Sequence, residues 1–376
     1  MIRDPRPTTL LTGATGFLGQ FLLRDLLKKG RRVIALVRSE PADGLRRVAD
    51  LLRPLGVNVD EAVRAGNLLV VSGGLPSQLP EPDWGQTDEI VHCAASLQLF
   101  QNGDLDPFQT NVDGTRALLD WADQNGVACF HAVSSAYVCG MNTGLIRESF
   151  HEPEPQFQTD YERSKWLGER ELARWAERPG RVLTVYRPSF VVGQSDTGYT
   201  TQYFGFYQLA RLVSMLKQCN GHSTNGDDTF VSVRIPLQPD RCHNLVPVDF
   251  AARLICEAVA NPALHGRIYH ICDPKPPSND FWKRCFEECF HLHGGYFVDP
   301  RAGGGARSPE EAMLWDQLAV LVPRLHHTPQ FDQRNTTEIM RSANLSYPAF
   351  NHDRVRRLLD YAVSTGWGKK QSTRNA

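Results

Sequence analysis

The chain has 376 residues, 41% hydrophobic and 22% charged, an ordinary globular composition with enough length for one large or two modest cores. A net charge of −1, both signs mixed along the sequence, excludes a basic stripe for nucleic acid and an acidic interaction tail. No apolar run approaches the ~20 residues of a transmembrane segment, and nine scattered cysteines with no signal-peptide core read as reduced thiols of a cytoplasmic protein.

The apolar Thr9-Leu10-Leu11 precedes Thr12-Gly13-Ala14-Thr15-Gly16-Phe17-Leu18-Gly19, and residues 20–29 look helical, so a glycine-rich turn joins a first strand to a first helix. Such a turn cradles a pyrophosphate. Gly13 permits the tight turn, Gly16 lets backbone approach phosphate, Gly19 lets helix and strand pack closely, and the free N–H groups opening the helix face the anion. A second strand over 32–37 ends in Arg38-Ser39, with no acidic residue at its tip for a ribose 2′-hydroxyl. A guanidinium there matches a 2′-phosphate, so NADPH is the expected cofactor. NADH is the alternative, since Arg38 could be a solvated charge and Glu40 or Asp43 could fold back towards the adenosine.

Further along, 45–55 reads as a helix, 68–72 as a third strand after Gly66-Asn67, and 89–95 as a fourth strand ending in Ala94 and Ala95. Small residues suit a strand passing beneath a cofactor ring. Asn111-Val112-Asp113-Gly114-Thr115 opens a helix to residue 125, 129–135 is a fifth strand, 161–176 a strong helix and 182–187 a sixth strand. This alternation predicts an α/β fold, a Rossmann-type doubly wound parallel sheet. Regularity lapses beyond Pro188, with helices expected at 203–217 and 250–260 and a strand at 267–271. The expected organisation is a dinucleotide-binding domain (1–190 plus 244–273) and a smaller, mostly helical substrate-binding cap (191–243 plus 274–376).

Tyr161 and Lys165 fall at i and i+4, on one helix face. A phenol's ordinary pKa of about 10 is too high for proton exchange near neutrality, and an adjacent ammonium is expected to lower it. Ser135 ends the preceding strand, where its hydroxyl can bond a carbonyl oxygen as charge develops there. Cys139 is expected to be a packing residue. Cys285, Cys289, His291 and His293 lie close together but lack zinc-type pairing, and no metal is expected. Tyr199, Tyr203, Phe204, Phe206, Tyr207, Met215, Phe230, Phe281, Trp282 and Trp315 are expected to build the cap, mostly as its core, and would suit an apolar acyl or aromatic substrate. Arg211, Lys217, Arg234 and Arg241 leave a diphosphate-bearing substrate open, and His326 and His327 are expected at the surface.

Together, Thr12-Gly13-x-x-Gly16-x-x-Gly19, Asn111-Val112-x-Gly114-Thr115, Ser134-Ser135-Ala136-x-Val138-x-Gly140, Tyr161-x-x-x-Lys165 and Arg187-Pro188-Ser189 resemble the extended short-chain dehydrogenases/reductases. Leu36-Val37-Arg38, Ile90-Val91-His92-Cys93-Ala94-Ala95-Ser96, Ser164-Lys165-Trp166 and Asn244-Leu245-Val246-Pro247-Val248-Asp249 look most like the thioester-reductase and fatty acyl-CoA reductase branch. The resemblance covers residues 8–272. It implies Ser135, Tyr161 and Lys165 as the catalytic set, and Lys165 also on the cofactor ribose. It further implies Gly13, Thr15, Gly16, Phe17, Leu18 and Gly19 at the pyrophosphate, Arg38 and Ser39 at the 2′-phosphate, and Ala94, Ala95 and Asn111 along the cofactor. Pro188 and Ser189 would border the nicotinamide. Gly66-Asn67-Leu68 stands where the branch often has Gly-Asp-Leu, placing Asn67 and Leu68 at the adenine. The implied activity is NADPH-dependent reduction of an acyl thioester or related hydrophobic carbonyl; an alcohol or ketone dehydrogenase, or a nucleotide-sugar epimerase or dehydratase, is the alternative. With no carrier or adenylation module in the chain, coenzyme A or a separate carrier protein is expected to deliver the acyl group. A homodimer is compatible with the sequence.

Overall fold

The computed structural model describes residues 6–220, 228–299, 305–319 and 327–369. Seven strands form the main sheet: β1 (Thr8–Thr12), β2 (Arg32–Val37), β3 (Leu68–Ser72), β4 (Glu89–His92), β5 (Cys129–Val133), β6 (Val182–Pro188) and β7 (Ile268–Ile271). Their order is β7-β6-β5-β4-β1-β2-β3, every neighbouring pair parallel. The order reverses between β1 and β4, where doubly wound sheets bind their ligands beyond the carboxyl ends of the strands.

Leu10, Leu11, Val33, Ile34, Ile90 and Val91 are buried, as the near-continuous apolar strands of a sheet covered on both faces must be. Helix α1 (Phe17–Lys28) buries Phe21, Leu22, Leu23 and Leu26 and packs with the helix Val248–Ala260. Pro41 opens α2 (Pro41–Leu52), and the Asn58 side chain caps α3 (Val59–Arg64). Helices α4 (Gly114–Gln124) and α5 (Asp160–Ala176) contribute Leu118, Trp121, Leu172 and Trp175 to the core above β4, β5 and β6.

Two compact units divide the chain: Met1–Val191, Val248–Cys272 and Phe331–Ser346 form the first; Val192–Pro247, Asp273–Gln330 and Tyr347–Ala376 form the second. Phe331–Ser346, read from sequence as cap, therefore joins the first unit, and 244–247 goes to the second. Side-chain bonds to backbone explain the return: Asn335 Nδ2 donates to the Ile268 carbonyl at 2.9 Å and Thr336 Oγ1 to that of His270 at 2.8 Å. In the second unit the strands Thr229–Ile235 and Leu292–Phe297 pair in parallel, and Leu212, Leu216, Val233, Leu292, Leu314 and Leu318 form a core. No described helix is long and apolar enough to cross a membrane, and all nine cysteines are free.

Candidate active site

The loop from β1 into α1 is built for close approach. Gly13 has φ +72°, and a Cβ there would lie 2.6 Å from the Ala94 nitrogen; a Cβ on Gly19 would lie 1.9 Å from the Gly13 carbonyl oxygen. Both positions exclude any side chain. Gly16 caps α1 without a side-chain bond, and the first turn holds no acidic residue. Helix α5 is the opposite case: Thr159 caps it by accepting from the Glu162 N–H, and Asp160 and Glu162 sit in its first turn. The amino end of α1 thus keeps its positive dipole end uncompensated, with Thr15 and Leu18 half-buried and Phe17 buried beside it. The cradle fits a dinucleotide pyrophosphate.

Arg38 is exposed at the carboxyl tip of β2 and Ser39 half-buried beside it; Asp43 pairs with Arg46. Asn67 and Leu68 fall elsewhere. They lie at the amino end of β3, where Leu68 pairs with Val33, the Asn67 carbonyl accepts from the Val33 N–H, and Asn67 Oδ1 accepts from Arg6. That is the sheet edge opposite the glycine loop, so the adenine placement is corrected. Gly73, Gly74 and Leu75 follow the carboxyl end of β3 instead, at the cofactor edge; the Gly73 N–H donates to the Val37 carbonyl at 2.7 Å. The strand is bracketed by glycines at both ends, and only its direction tells which pair faces the cofactor edge.

Beneath the glycine loop, Thr12 Oγ1 accepts from the Ala94 N–H at 3.2 Å and meets His92 Nδ1 at 2.8 Å, which fixes the end of β4 against β1. Ala94 and Ala95 are half-buried there. Asn111 is buried: its Oδ1 accepts from the Ser96 N–H at 2.8 Å, and its Nδ2 donates to the Ser96 carbonyl at 3.0 Å and to Ser164 Oγ at 2.9 Å. Asn111 therefore ties the segment after β4 to α5.

Ser135, Tyr161 and Lys165 do come together. Ser135 lies close enough to Tyr161 to lower its phenol; Ser135 Oγ accepts from the Tyr137 N–H at 3.2 Å, and Lys165 Nζ donates to the Val133 carbonyl at 2.9 Å. Electrostatics correct one expectation. Burial pushes the Tyr161 phenol up to about 12, against a smaller lowering by Ser135, and Lys165 does not bring it down. The same burial lowers Lys165 to about 8, partly opposed by Cys93 and Glu169. Glu169 continues the Tyr161–Lys165 stripe by another helical turn, a role that i, i+4 spacing could have revealed. Its carboxylate is bidentate to buried Arg187 on β6, at 2.9 and 2.6 Å, and locks α5 onto the sheet.

Two buried hydroxyls near these residues lack partners among the described residues: Ser134 Oγ and Ser189 Oγ. Pro188 and Ser189 leave β6 at this edge, with the Ser189 N–H bonded to the Ile271 carbonyl at 3.0 Å. An orphaned buried hydroxyl is costly, and a polar ligand satisfies it. Cys139 is buried, its thiol turned to the Gly140 carbonyl.

In the second unit, Phe206, Tyr207 and Trp282 are buried, with Phe206 5.5 Å from Trp282 and from Phe286, ring centre to ring centre. Tyr199, Tyr203, Phe281 and Trp315 are half-buried, and Phe204, Met215 and Phe230 are exposed. Arg234 is buried against Glu311, Nη2 to Oε2 at 2.8 Å, and lies over Trp315. Lys217 donates to Thr229 Oγ1 at 2.7 Å and Arg241 to Gln238 Oε1 at 2.7 Å; Arg211 is half-buried. His291 and His293 both turn to Asp228 at 3.2 Å, whereas Cys285 is buried in its helix. His327 is buried, contrary to expectation, and His326 lies outside the described residues.

This arrangement has counterparts. The chain is 24% identical to the non-canonical nonribosomal peptide synthetase FrzA of Cladobotryum sp over 97% of its own length and 37% of that protein's. It is 31% identical to the aldehyde reductase lnaA of Aspergillus flavus, over 74% of this chain and 26% of that one. It therefore spans well under half the length of these curated relatives. The crystal structure of the terminal R domain from the myxalamid PKS-NRPS biosynthetic pathway has a TM-score of 0.76 at 22% identity, over 97% of this chain and 92% of that one, and shows the same fold. The male sterility protein family matches residues 11–255. This chain belongs to that NAD-binding family, an oxidoreductase family of the extended short-chain dehydrogenase/reductase type with thioester-reductase-like members.

Proposed function

We propose that the chain is an NADPH-dependent reductase of an acyl thioester, carried on coenzyme A or a carrier protein, or of a related hydrophobic carbonyl compound. The observation that carries this reading is Ser135 beside the Tyr161 phenol, one helical turn from Lys165, at the same sheet edge as an uncapped glycine cradle. The relatives support it: two carry the names of a nonribosomal peptide synthetase and an aldehyde reductase, and the structural neighbour is a terminal R domain.

A dinucleotide held with its pyrophosphate in the cradle would supply a hydride for the carbonyl carbon. Ser135 and Tyr161 donate hydrogen bonds to the carbonyl oxygen and stabilise the charge gathering there. With a thioester, the tetrahedral oxyanion expels thiolate and leaves an aldehyde. With a ketone or aldehyde, the neutral Tyr161 phenol gives its proton to the alkoxide. Lys165 adds positive charge and donates to ribose hydroxyls, Arg38 binds the 2′-phosphate, and Ser134 and Ser189 gain partners from the bound ligand. Gly73 and Gly74 replace Asn67 and Leu68 at the adenine side. A diphosphate-bearing substrate suits the second unit less, because Arg234, Lys217 and Arg241 are already engaged.

NADPH oxidation measured with acyl-CoA, carrier-bound acyl, ketone and nucleotide-sugar panels tests the reading. Turnover is expected with thioesters and yields an aldehyde. Turnover confined to nucleotide sugars, or cofactor binding with no turnover on any panel, overturns it.

A further inference from the structure

We propose that Cys129, His131 and His265 form a zinc site at the amino edge of the main sheet. Cys129 and His131 share one strand while His265 is 136 residues beyond Cys129, yet the three ligand atoms all lie within 4.8 Å of one another. Cys129 Sγ is 3.4 Å from His131 Nε2 and 3.7 Å from His265 Nδ1. A tetrahedral zinc with Zn–S of about 2.3 Å and Zn–N of about 2.0–2.1 Å needs a sulfur-to-nitrogen separation of ~3.6 Å. Both sulfur-to-nitrogen edges are close to this, and the two nitrogens lie within 4.8 Å of each other.

The second nitrogen of each imidazole is already held. His265 Nε2 faces the Val259 carbonyl at 3.2 Å, so it is the protonated nitrogen, and the Nδ1 lone pair faces the sulfur. His131 Nδ1 meets the Tyr186 hydroxyl at 3.0 Å, which leaves Nε2 towards the same point. Partners of this kind orient metal-binding histidines. Cys129 and His265 are half-buried, which gives an ion a way in, while His131 is buried. Three protein ligands leave a fourth position for water. Glu89 lies alongside: Oε1 is occupied by Arg31 at 2.6 Å and Thr9 at 2.7 Å, and Oε2 is 3.8 Å from His131 Nε2, free to accept from that water.

On binding, the Cys129 thiol gives its proton to solvent as the zinc–sulfur bond forms. The ion ties the start of β5 to the segment entering β7, past the amino end of β6. From Cys129 to Ser135 is ~20 Å of extended chain, so this site is separate from the hydride chemistry.

The test uses the full chain, freed of metal by chelator dialysis and titrated with zinc and, separately, cobalt. About one zinc per chain is expected, with a raised melting temperature, a cobalt spectrum carrying a thiolate charge-transfer band, and unchanged reductase turnover. Cys129→Ser removes the charge-transfer band, and His265→Gln weakens zinc binding by at least about tenfold, in proteins whose circular dichroism matches the wild type. No zinc uptake by the wild type, uptake undiminished in both variants, or a cobalt spectrum without the thiolate band overturns the proposal. If one variant fails to fold, the other and the wild-type spectrum decide.

Discussion

The two edges of the main sheet treat their polar groups differently. At the amino edge nearly every one has a protein partner: Thr8 N–H bonds Asp88, Thr9 and Arg31 share Glu89, Arg31 also donates to the Val259 carbonyl, and Arg6 donates to Asn67. At the carboxyl edge Ser134 and Ser189 hydroxyls are buried without partners, the first turn of α1 is uncapped, and Arg38 stands exposed. Within the described main sheet the buried hydroxyls without partners fall at the carboxyl edge, where a polar ligand can complete them. Unfinished bonding thus marks the ligand edge more clearly than residue type does.

Four experiments break or sharpen this contrast. The largest effect is expected from Tyr161→Phe, which removes the one acidic proton poised beside Ser135. Turnover should fall by roughly 10²–10⁴-fold with cofactor affinity retained, and steady-state kinetics showing unchanged kcat would remove Tyr161 from the chemistry. Arg38→Ala comes next. NADPH should bind at least about tenfold more weakly while NADH changes little, as losing a charge-assisted bond of ~1.5–3 kcal/mol requires, and equal weakening of both in a fluorescence titration refutes the 2′-phosphate role.

Smaller and graded is the pH response. Burial lowers Lys165 from 10.5 to about 8, so its ammonium is intact below that pH and lost as pH rises through it. Reductive kcat/KM should therefore decline above about pH 8. Stability should move the other way between that value and 10.5, because there the unfolded chain binds a proton that the folded one does not. Tyr161, held near 12, stays protonated throughout. A flat activity profile from pH 7 to 10 contradicts the Lys165 assignment. The smallest effect belongs to Asn67→Ala at the amino edge: cofactor affinity should stay within about twofold while stability drops by about 1 kcal/mol, read by denaturant titration. A large affinity loss would return Asn67 to the adenine side.

Much of this was legible in the residues. Strands buried on both faces read as short apolar runs, and β2 and β3 fall where the pattern put them. Tyr161 and Lys165 meet Ser135 because helix period and strand end are local properties. The misplacement of Asn67 came from matching a three-residue motif at the wrong end of the strand; in the parallel sheet expected from the sequence, a residue preceding the third strand already lies at its amino end. Long-range matters were not legible. The Tyr161 phenol rises because burial, a property of the assembled fold, outweighs the lowering by Ser135. The approach of His265 to Cys129 closes a loop of 136 residues, and no spacing rule reaches that far.

The return of residues 331–346 to the first unit bears on how the chain can be cut. Glu148 accepts from the His270 N–H at 3.0 Å and the Asn335 N–H at 2.7 Å, while Asn335 and Thr336 cover carbonyls of β7, the outermost strand. A shortened protein stopping at residue 330 loses the Asn335 and Thr336 side chains and leaves the Ile268 and His270 carbonyls of this edge strand without them. The first unit is completed by residues 331–346, which follow most of the second unit in the chain.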